Sequence, residues 1–185
     1  MKKLLMGFAF FAAALVGASG AFAAEKVIDR EVVVQAKVAD VWQAWTTSEG
    51  IKTFFAPDAN VDLRVDGPFE IFINPYAKPG MKGADGMRII GFQKEKMLSF
   101  TWNAPPHLPE ARANRTIVIL RFEPAGENQT IVTLHHLGWG EGGEWDKSYD
   151  YFSKAWPNVL ASLQKRFVSG PVDWTDWLAR MKTLQ

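Results

Sequence analysis

The sequence predicts an α+β fold in which a curled antiparallel sheet wraps around one long C-terminal helix. Residues 61–137 contain several segments in which apolar and polar residues alternate with a period of two, which is typical of strands. The last third carries apolar residues at steps of three and four, which is typical of an amphipathic helix. Strands followed by a separate helix indicate an antiparallel sheet, and only a sheet is wide enough to bury the helix stripe.

One strand and two short helices are predicted before this region. Residues 27–36 (VIDREVVVQA) are rich in β-branched residues and predict the first strand. Asp40 is a candidate N-cap for a short helix that contains VWQAW. Ser48 is a candidate N-cap for a second short helix, which Pro57 ends.

Six further strands are predicted, and turns or loops separate them. The strands are residues 61–65, 69–73, 87–93, 97–102, 115–122 and 130–137. The intervening segments include the tight charged turn 94–96, the Pro/Gly-rich loop 74–85 and the loop 103–113 (NAPPHLPEARA) with its three prolines. No linker interrupts this series, so we predict a single domain over residues 24–185.

The final helix is predicted over about residues 145–167. Its apolar stripe comprises Trp145, Tyr149, Phe152, Trp156, Val159, Leu160, Leu163 and Phe167. Pro157 lies inside the pattern and removes one backbone donor, so we expect a kink and not a break. Gly170 and Pro171 end the helix, and residues 173–177 predict a short terminal turn.

The N-terminus has the three parts of a secretory signal peptide. Lys2 and Lys3 precede an apolar run, and Ala21-Phe22-Ala23 resembles a cleavage site. We therefore predict a signal peptide over residues 1–23 and no stable membrane anchor, because the apolar run is short for a bilayer span. The expected location is the bacterial periplasm or the exterior of the cell.

Composition excludes several classes of function. Removal of the first 23 of 185 residues leaves 162 residues, which include 19 of the 21 basic residues and all 20 acidic ones. No basic excess favours nucleic acid. The chain has no cysteine, which excludes disulfides and thiolate chemistry. Eight Trp and 13 Phe indicate a large aromatic core, an apolar cavity or both.

The adjacent histidines in LHHLGWGEGGEWD are the most conspicuous polar pair. Consecutive residues of a strand point to opposite faces, so His135 and His136 are not expected to bind one metal ion. Leu134 shares a face with His136, which predicts that His136 points inward and His135 outward. No spacing of histidines and acids predicts a metal site, and we expect no metal, no cofactor and no identified catalytic residue.

The inward sets of the strands supply the candidate lining of a cavity. Phe100 and Trp102 alternate with Ser99 and Thr101. On later strands, Leu120 alternates with the outward Arg121 and Leu134 with the polar Thr133. Arg88 shares its parity with Ile90 and Phe92 and is predicted to be an inward polar group. The candidate ligand-binding residues are His136, Arg88, Phe100, Trp102, Leu120, Leu134, Tyr149 and Phe152. The acids Glu144 and Asp146 are explained by the dipole at the start of the helix.

Several stretches resemble the SRPBCC superfamily (START-like, Bet v 1-like), and most closely its Hsp90-ATPase-activator-homologue-like branch. They are VADVWQAWTTSEGIKTFF, VDGPFEIF, LSFTW, TIVILRFEPAGENQTIVTLHHLG and YFSKAWPNVLASLQKRF. The resemblance implies a helix-grip fold and a cavity between sheet and helix that holds apolar or amphipathic molecules in many relatives. Two features depart from the branch: the turn Asp66-Gly67 replaces Gly-Gly, and most of the branch is cytoplasmic.

Three functions are compatible with these observations. The first is an exported domain that binds a hydrophobic or amphipathic small molecule in the cavity. The second is a cyclase- or hydratase-type enzyme with His136 as the acid/base, although a non-enzymatic role is favoured. The third is an envelope protein-interaction domain with a protein partner, which predicts an exposed apolar patch on the outer sheet face.

Overall fold

The computed structural model describes residues 25–184, and the predicted signal peptide lies outside the described residues. The chain has the α+β architecture expected from the sequence. In chain order the elements are β1 (Ile28–Val34), α1 (Val38–Thr46), α2 (Ser48–Lys52), β2 (Asp58–Val61), β3 (Phe69–Phe72), β4 (Ile89–Gln93), β5 (Met97–Trp102), α3 (Pro109–Arg112), β6 (Thr116–Gly126), β7 (Gln129–Leu137), α4 (Gly143–Ser169) and α5 (Thr175–Lys182).

The strands form an antiparallel surface that curls around α4. Five strands are hydrogen-bonded in the order β1-β7-β6-β5-β4, and β2 pairs with β3 as a separate ladder. A bridge between Pro68 and Arg88 joins the two sheets, and the amide of Phe69 donates to the carbonyl of Met87 at 2.8 Å. The fold is therefore the predicted helix grip, with the core between the sheet and the long helix.

The apolar stripe of α4 is buried where the periodicity predicted it. Phe152, Trp156, Leu160 and Leu163 are all at most 8 % exposed. They pack against the inward residues of the sheet, which occupy alternate positions of each strand and therefore share one face. α4 is 27 residues long and continues through Pro157 without interruption. No helix among residues 25–184 is both long and apolar enough to cross a bilayer.

The second strand begins and ends earlier than the predicted residues 61–65. β2 occupies Asp58–Val61, and Val61 pairs with Phe69. A tight turn follows at once, in which the amide of Gly67 donates to the carbonyl of Arg64. A Cβ at Gly67 would lie 2.1 Å from the carbonyl oxygen of Asp62, so only glycine allows this close approach. The alternation of apolar and polar residues thus continues to Val65 in the sequence, although β2 pairs with β3 only as far as Val61.

The helix starts also differ in detail from the prediction. Lys37 is the N-cap of α1, and Asp40 lies in its first turn. Thr47 is the N-cap of α2, and its hydroxyl accepts a hydrogen bond from the amide of Gly50. The loop 103–113 contains α3, a single-turn helix that was not predicted although Pro109 at its start is a common helix signal.

Candidate functional site

A cavity of about 330 Å³ lies between α4 and the sheet. Small-molecule sites in proteins span roughly 300–1,000 Å³, so this volume lies at the lower end of that range. Its walls come from α4, β3, the end of β5, Phe55 and two loops. The lining is mainly apolar and comprises Phe55, Ile71, Ile73, Asn74, Met81, Lys82, Gly83, Ala84, Trp102, Asn103, Ala104, Pro105, Pro106, Tyr151, Phe152, Ala155, Trp156 and Val159.

One face of α4 forms the first wall. Tyr151, Phe152, Ala155, Trp156 and Val159 follow the 3.6-residue period and therefore share this face. The rings of Phe152 and Trp156 stack with centroids 6.0 Å apart. Ala155 is the smallest of these side chains, so the space beside it stays open.

Trp102 forms the facing aromatic wall at the end of β5. Its ring centroid is 5.4 Å from that of Trp156 and 6.0 Å from that of Phe55. Its indole nitrogen Nε1 is buried and has no hydrogen-bond partner among residues 25–184. An unpaired buried donor costs about 1–3 kcal/mol. Trp102 therefore contributes aromatic surface to the cavity and carries one unsatisfied donor.

Arg112 joins the two loops that complete the lining. Its guanidinium donates to the carbonyls of Gly80 and Gly83, both at 2.7 Å, and to the carbonyl of Ala104. It also forms a salt bridge with Asp85, with Nη2 3.2 Å from Oδ2. Burial lowers the pKa of the Arg112 guanidinium, and the Asp85 carboxylate opposes that shift. One side chain thus holds loop 80–85 against the segment that follows β5.

Asp85 completes this clasp, which we define as Arg112 and Asp85. Its carboxylate accepts hydrogen bonds from the amides of Gly80 at 3.0 Å and Gly83 at 2.9 Å. Only 11 % of the Arg112 side chain and 14 % of the Asp85 side chain are exposed. Sequence reasoning missed both residues, because nothing in the spacing of two Pro- and Gly-containing loops shows that they meet.

His136 points inward as predicted and is completely buried. Trp156 Nε1 donates to His136 Nδ1 at 2.9 Å, and His136 Nε2 lies 2.7 Å from Thr116 Oγ1. Since an indole nitrogen can only donate, Nδ1 must be unprotonated and Nε2 carries the proton. The Thr116 hydroxyl in turn lies 3.3 Å from the carbonyl oxygen of Trp102, to which it donates.

The surroundings of His136 favour the neutral imidazole. Burial lowers the pKa of His136 from 6.5 to about 3. Its ring contacts Trp139, with centroids 4.2 Å apart, and does not line the cavity. Trp156 and Phe152 do line the cavity, and both contact the imidazole. His136 therefore supports the aromatic wall from behind.

His135 points to the opposite face of β7, as strand alternation predicted. Its Nδ1 lies within hydrogen-bond distance of the Asp29 carboxylate on β1. These two residues are direct partners in the β1–β7 register. The adjacent histidines therefore belong to different environments.

Sequence comparison identifies the family. The profile of the family described as "Activator of Hsp90 ATPase homolog 1-like protein" (AHSA1) matches residues 35–167, which is more than half of the chain. The chain belongs to this AHSA1 family. That assignment agrees with the predicted membership of the SRPBCC superfamily. No curated protein matches the chain significantly by sequence.

Solved structures with the same fold have low sequence identity to this AHSA1-family chain. Protein MLL2253 from Mesorhizobium loti is 18 % identical, with a TM-score of 0.62 over 80 % of this chain and 100 % of that one. The Aha1 dimer from Colwellia psychrerythraea is 20 % identical, with a TM-score of 0.60 over 78 % and 98 %. CalU16 from Micromonospora echinospora is 20 % identical, with a TM-score of 0.57 over 85 % and 82 %.

The eight candidate lining residues separate into distinct groups in this AHSA1-family structure. Trp102 and Phe152 line the cavity. Phe100, Leu120 and Leu134 point inward but are fully buried in the core away from it. Their strand parity was predicted correctly, but parity does not distinguish a packed position from one beside empty space.

Arg88 does not face inward, so that prediction is wrong. It is exposed, and its guanidinium donates to the carbonyl of Asp66 at 3.1 Å. A register shift lies between Ile89 and Gly91, such that Ile89 pairs with Phe100 and Phe92 pairs with Leu98. The bulge places Ile89 and Phe92 on one face although they are three positions apart. The inward direction that alternation from Phe92 predicted for Arg88 is therefore wrong, because Arg88 lies on the N-terminal side of the bulge.

Tyr149 is half-buried but is not part of the cavity lining. Its hydroxyl donates to the carbonyl of Val27 at 3.2 Å, and its ring packs edge-on against Trp139. Tyr149 therefore ties the start of α4 to the residues that precede β1.

The acids after β7 have local structural roles. Glu144 lies in the first turn of α4, and its carboxylate accepts from the amides of Glu110 at 2.8 Å and Ala111 at 3.0 Å. It thus caps α3 from another element. Asp146 pairs with Lys26. Residues 25–184 contain no group of three or more histidine, aspartate or glutamate side chains placed to hold a metal ion.

Proposed function

We propose that this protein binds a hydrophobic or amphipathic small molecule in the cavity between the sheet and α4, after export from the cytoplasm. The observation that carries the proposal is the apolar cavity of about 330 Å³. Burial of apolar ligand surface against its aromatic walls would supply the affinity. Membership of the AHSA1 family supports it, because the helix-grip fold places such a space between sheet and helix.

The clasp is consistent with a binding role. Buried polar groups are costly unless they are hydrogen-bonded, and Arg112 and Asp85 satisfy each other and the backbone of both loops. The loops are thereby held beside the cavity by contacts within the chain. A preformed site loses less conformational entropy when it binds.

The test is a pair of matched substitutions on α4. Ala155→Phe places a ring in the cavity, whereas Ala161→Phe makes the same change at an exposed position outside it. Each protein is purified from the periplasm and examined by native mass spectrometry for a retained hydrophobic molecule. We expect the wild type and Ala161→Phe to retain it and Ala155→Phe to lose it. Equal retention by both variants would place the molecule elsewhere.

Export is tested separately by the N-terminus of the mature protein. We expect cleavage after Ala23, so that sequencing of the periplasmic protein begins at Ala24. Uncleaved protein confined to the cytoplasm would contradict this part of the proposal, and the binding experiment would then be carried out on protein purified from the cytoplasm.

The enzyme hypothesis rested on His136 and has no geometric support. Both of its ring nitrogens are engaged by Trp156 and Thr116, and the imidazole does not reach the cavity. A group with a pKa of about 3 is also a poor acid/base near neutral pH.

The interaction-domain hypothesis predicted an apolar patch on the outer sheet face. The large exposed apolar residues on that face are Val33 on β1 and Ile90 on β4. Phe92 is also exposed, but it lies on the same face as Ile89. β1 and β4 are the two opposite edges of the five-stranded sheet, so Val33 and Ile90 do not form one patch.

A further inference from the structure

We propose that the ligand is a single-chain amphiphile with an anionic head group, its chain in the cavity and its head in a basic depression beside it. This inference rests on the proposed binding function and specifies the chemical class of the ligand. The depression is lined by His107, Lys147, Asp150, Tyr151, Lys154, Ala155 and Asn158.

The cavity and the depression are adjacent on α4. Tyr151 and Ala155 line both of them. A molecule too long for the cavity would therefore leave it across these two residues of α4 and enter the depression. This position would orient the ligand, because the cavity is lined mainly by apolar residues, whereas charged and polar side chains are the majority in the lining of the depression.

The depression carries an excess of positive charge. Lys147 and Lys154 are seven residues apart, which is about two helical turns, so they flank Tyr151 on one face of α4. Asp150 is the one acidic residue in the lining. Within residues 25–184, neither lysine forms an ion pair with a carboxylate. Their ammonium groups are thus available to an anion from a ligand.

The mouth of the cavity is apolar, which suits the part of the ligand's alkyl chain that lies next to its head group. Ile73, Met81 and Tyr151 line the cavity and are 37 %, 46 % and 46 % exposed. An alkyl chain that leaves the cavity would cover exposed apolar groups of this kind, and of the three only Tyr151 also lines the depression. Lys82 also lines the cavity, but its ammonium lies over the Phe72 ring at 5.1 Å. The head group is therefore assigned to Lys147 and Lys154.

The experiment compares three ligands that share a twelve-carbon chain: dodecanoate, dodecanol and dodecyltrimethylammonium. Binding is measured by tryptophan fluorescence, since Trp102 and Trp156 line the cavity. Concentrations stay below the critical micelle concentrations of the two ions and below the solubility limit of dodecanol. We expect dodecanoate to bind at least about threefold more tightly than dodecanol, and the cation to bind most weakly. Added salt should reduce the preference for dodecanoate.

Two double variants assign the preference to the depression. Lys147→Gln/Lys154→Gln should bind dodecanoate and dodecanol equally. Lys96→Gln/Lys165→Gln removes two exposed lysines outside the cavity and the depression and should keep the wild-type preference. Loss of the preference in both variants would show that only net charge matters and would overturn the assignment.

The remaining outcomes separate this inference from the proposed function. Equal affinity of the wild type for all three ligands would overturn the anionic head group and leave the cavity function intact. No binding of any of the three ligands to the wild type, with none retained from the periplasm, would overturn both. Binding to phosphatidylglycerol vesicles that depends on Lys147 and Lys154 but persists in Ala155→Phe would assign the lysines to a membrane surface and would also overturn the inference.

Discussion

Substitution of His136 by glutamine should make the protein less sensitive to acid. The neutral imidazole is held by one donor, Trp156 Nε1, and one acceptor, Thr116 Oγ1. A carboxamide also offers one acceptor and one donor, but it does not titrate. His136→Gln therefore removes the ionisable group while it preserves the types of hydrogen bond. Its stability at neutral pH should fall by about 1 kcal/mol, because the new geometry is imperfect.

The size of the pH effect follows from the two pKa values of His136. The unfolded chain takes up a proton near pH 6.5, whereas the folded protein resists protonation until about pH 3. Between these values the unfolded state binds more protons, so the free energy of unfolding falls as the pH is lowered. At pH 5 this amounts to about 2 kcal/mol relative to pH 7.5. At pH 3 and below it approaches about 5 kcal/mol.

Urea denaturation followed by far-ultraviolet circular dichroism measures this effect. Unfolding free energies are determined at pH 7.5 and pH 5.0 for the wild type and for His136→Gln. Other carboxylates and histidines titrate in both proteins, so the difference between their pH responses isolates His136. The wild type should lose about 2 kcal/mol more than the variant between these pH values.

Equal losses in the two proteins would refute the reasoning. Such a result would mean that His136 is protonated in the folded state at pH 5, so that Trp156 no longer donates to Nδ1. The imidazole would then be accessible to protons, and the acid/base hypothesis would regain physical support. A larger loss in the variant would show that the carboxamide is not accommodated.

Two further substitutions test the contacts around the cavity. Arg112→Lys should cost about 1–3 kcal/mol of stability and increase hydrogen exchange in loop 80–85, because an ammonium cannot reproduce the guanidinium contacts. Arg115→Lys, at an exposed site, is the control. Unchanged exchange of loop 80–85 in Arg112→Lys would contradict the role of the clasp. Glu144→Ala should cost about 1 kcal/mol because it leaves two amides of α3 without their acceptor. Glu141 is an exposed acid with no hydrogen bond to residues 25–184, so Glu141→Ala should have little effect on stability in thermal denaturation. Equal losses of stability in Glu144→Ala and Glu141→Ala would refute the role of Glu144 as a cap of α3.

Strand alternation was a reliable guide wherever the ladder is regular. On β5, β6 and β7 the inward residues Phe100, Leu120 and Leu134 were predicted correctly, and so was the inward direction of His136. On β4 the bulge between Ile89 and Gly91 reversed the expected parity, which is why Arg88 was misplaced. A bulge depends on how two strands pair, and one strand's pattern does not reveal it.

The amino-acid sequence by itself determined the α+β class, the long amphipathic helix, the family and the separation of the two histidines. All of these follow from local periodicity or from the order of short patterns along the chain. Only the tertiary structure decided which inward residues line a cavity and which are packed, since empty space depends on side chains from several elements. It also showed that Arg112 joins loops about 30 residues apart in sequence and that Trp156 and Thr116 hold His136 neutral.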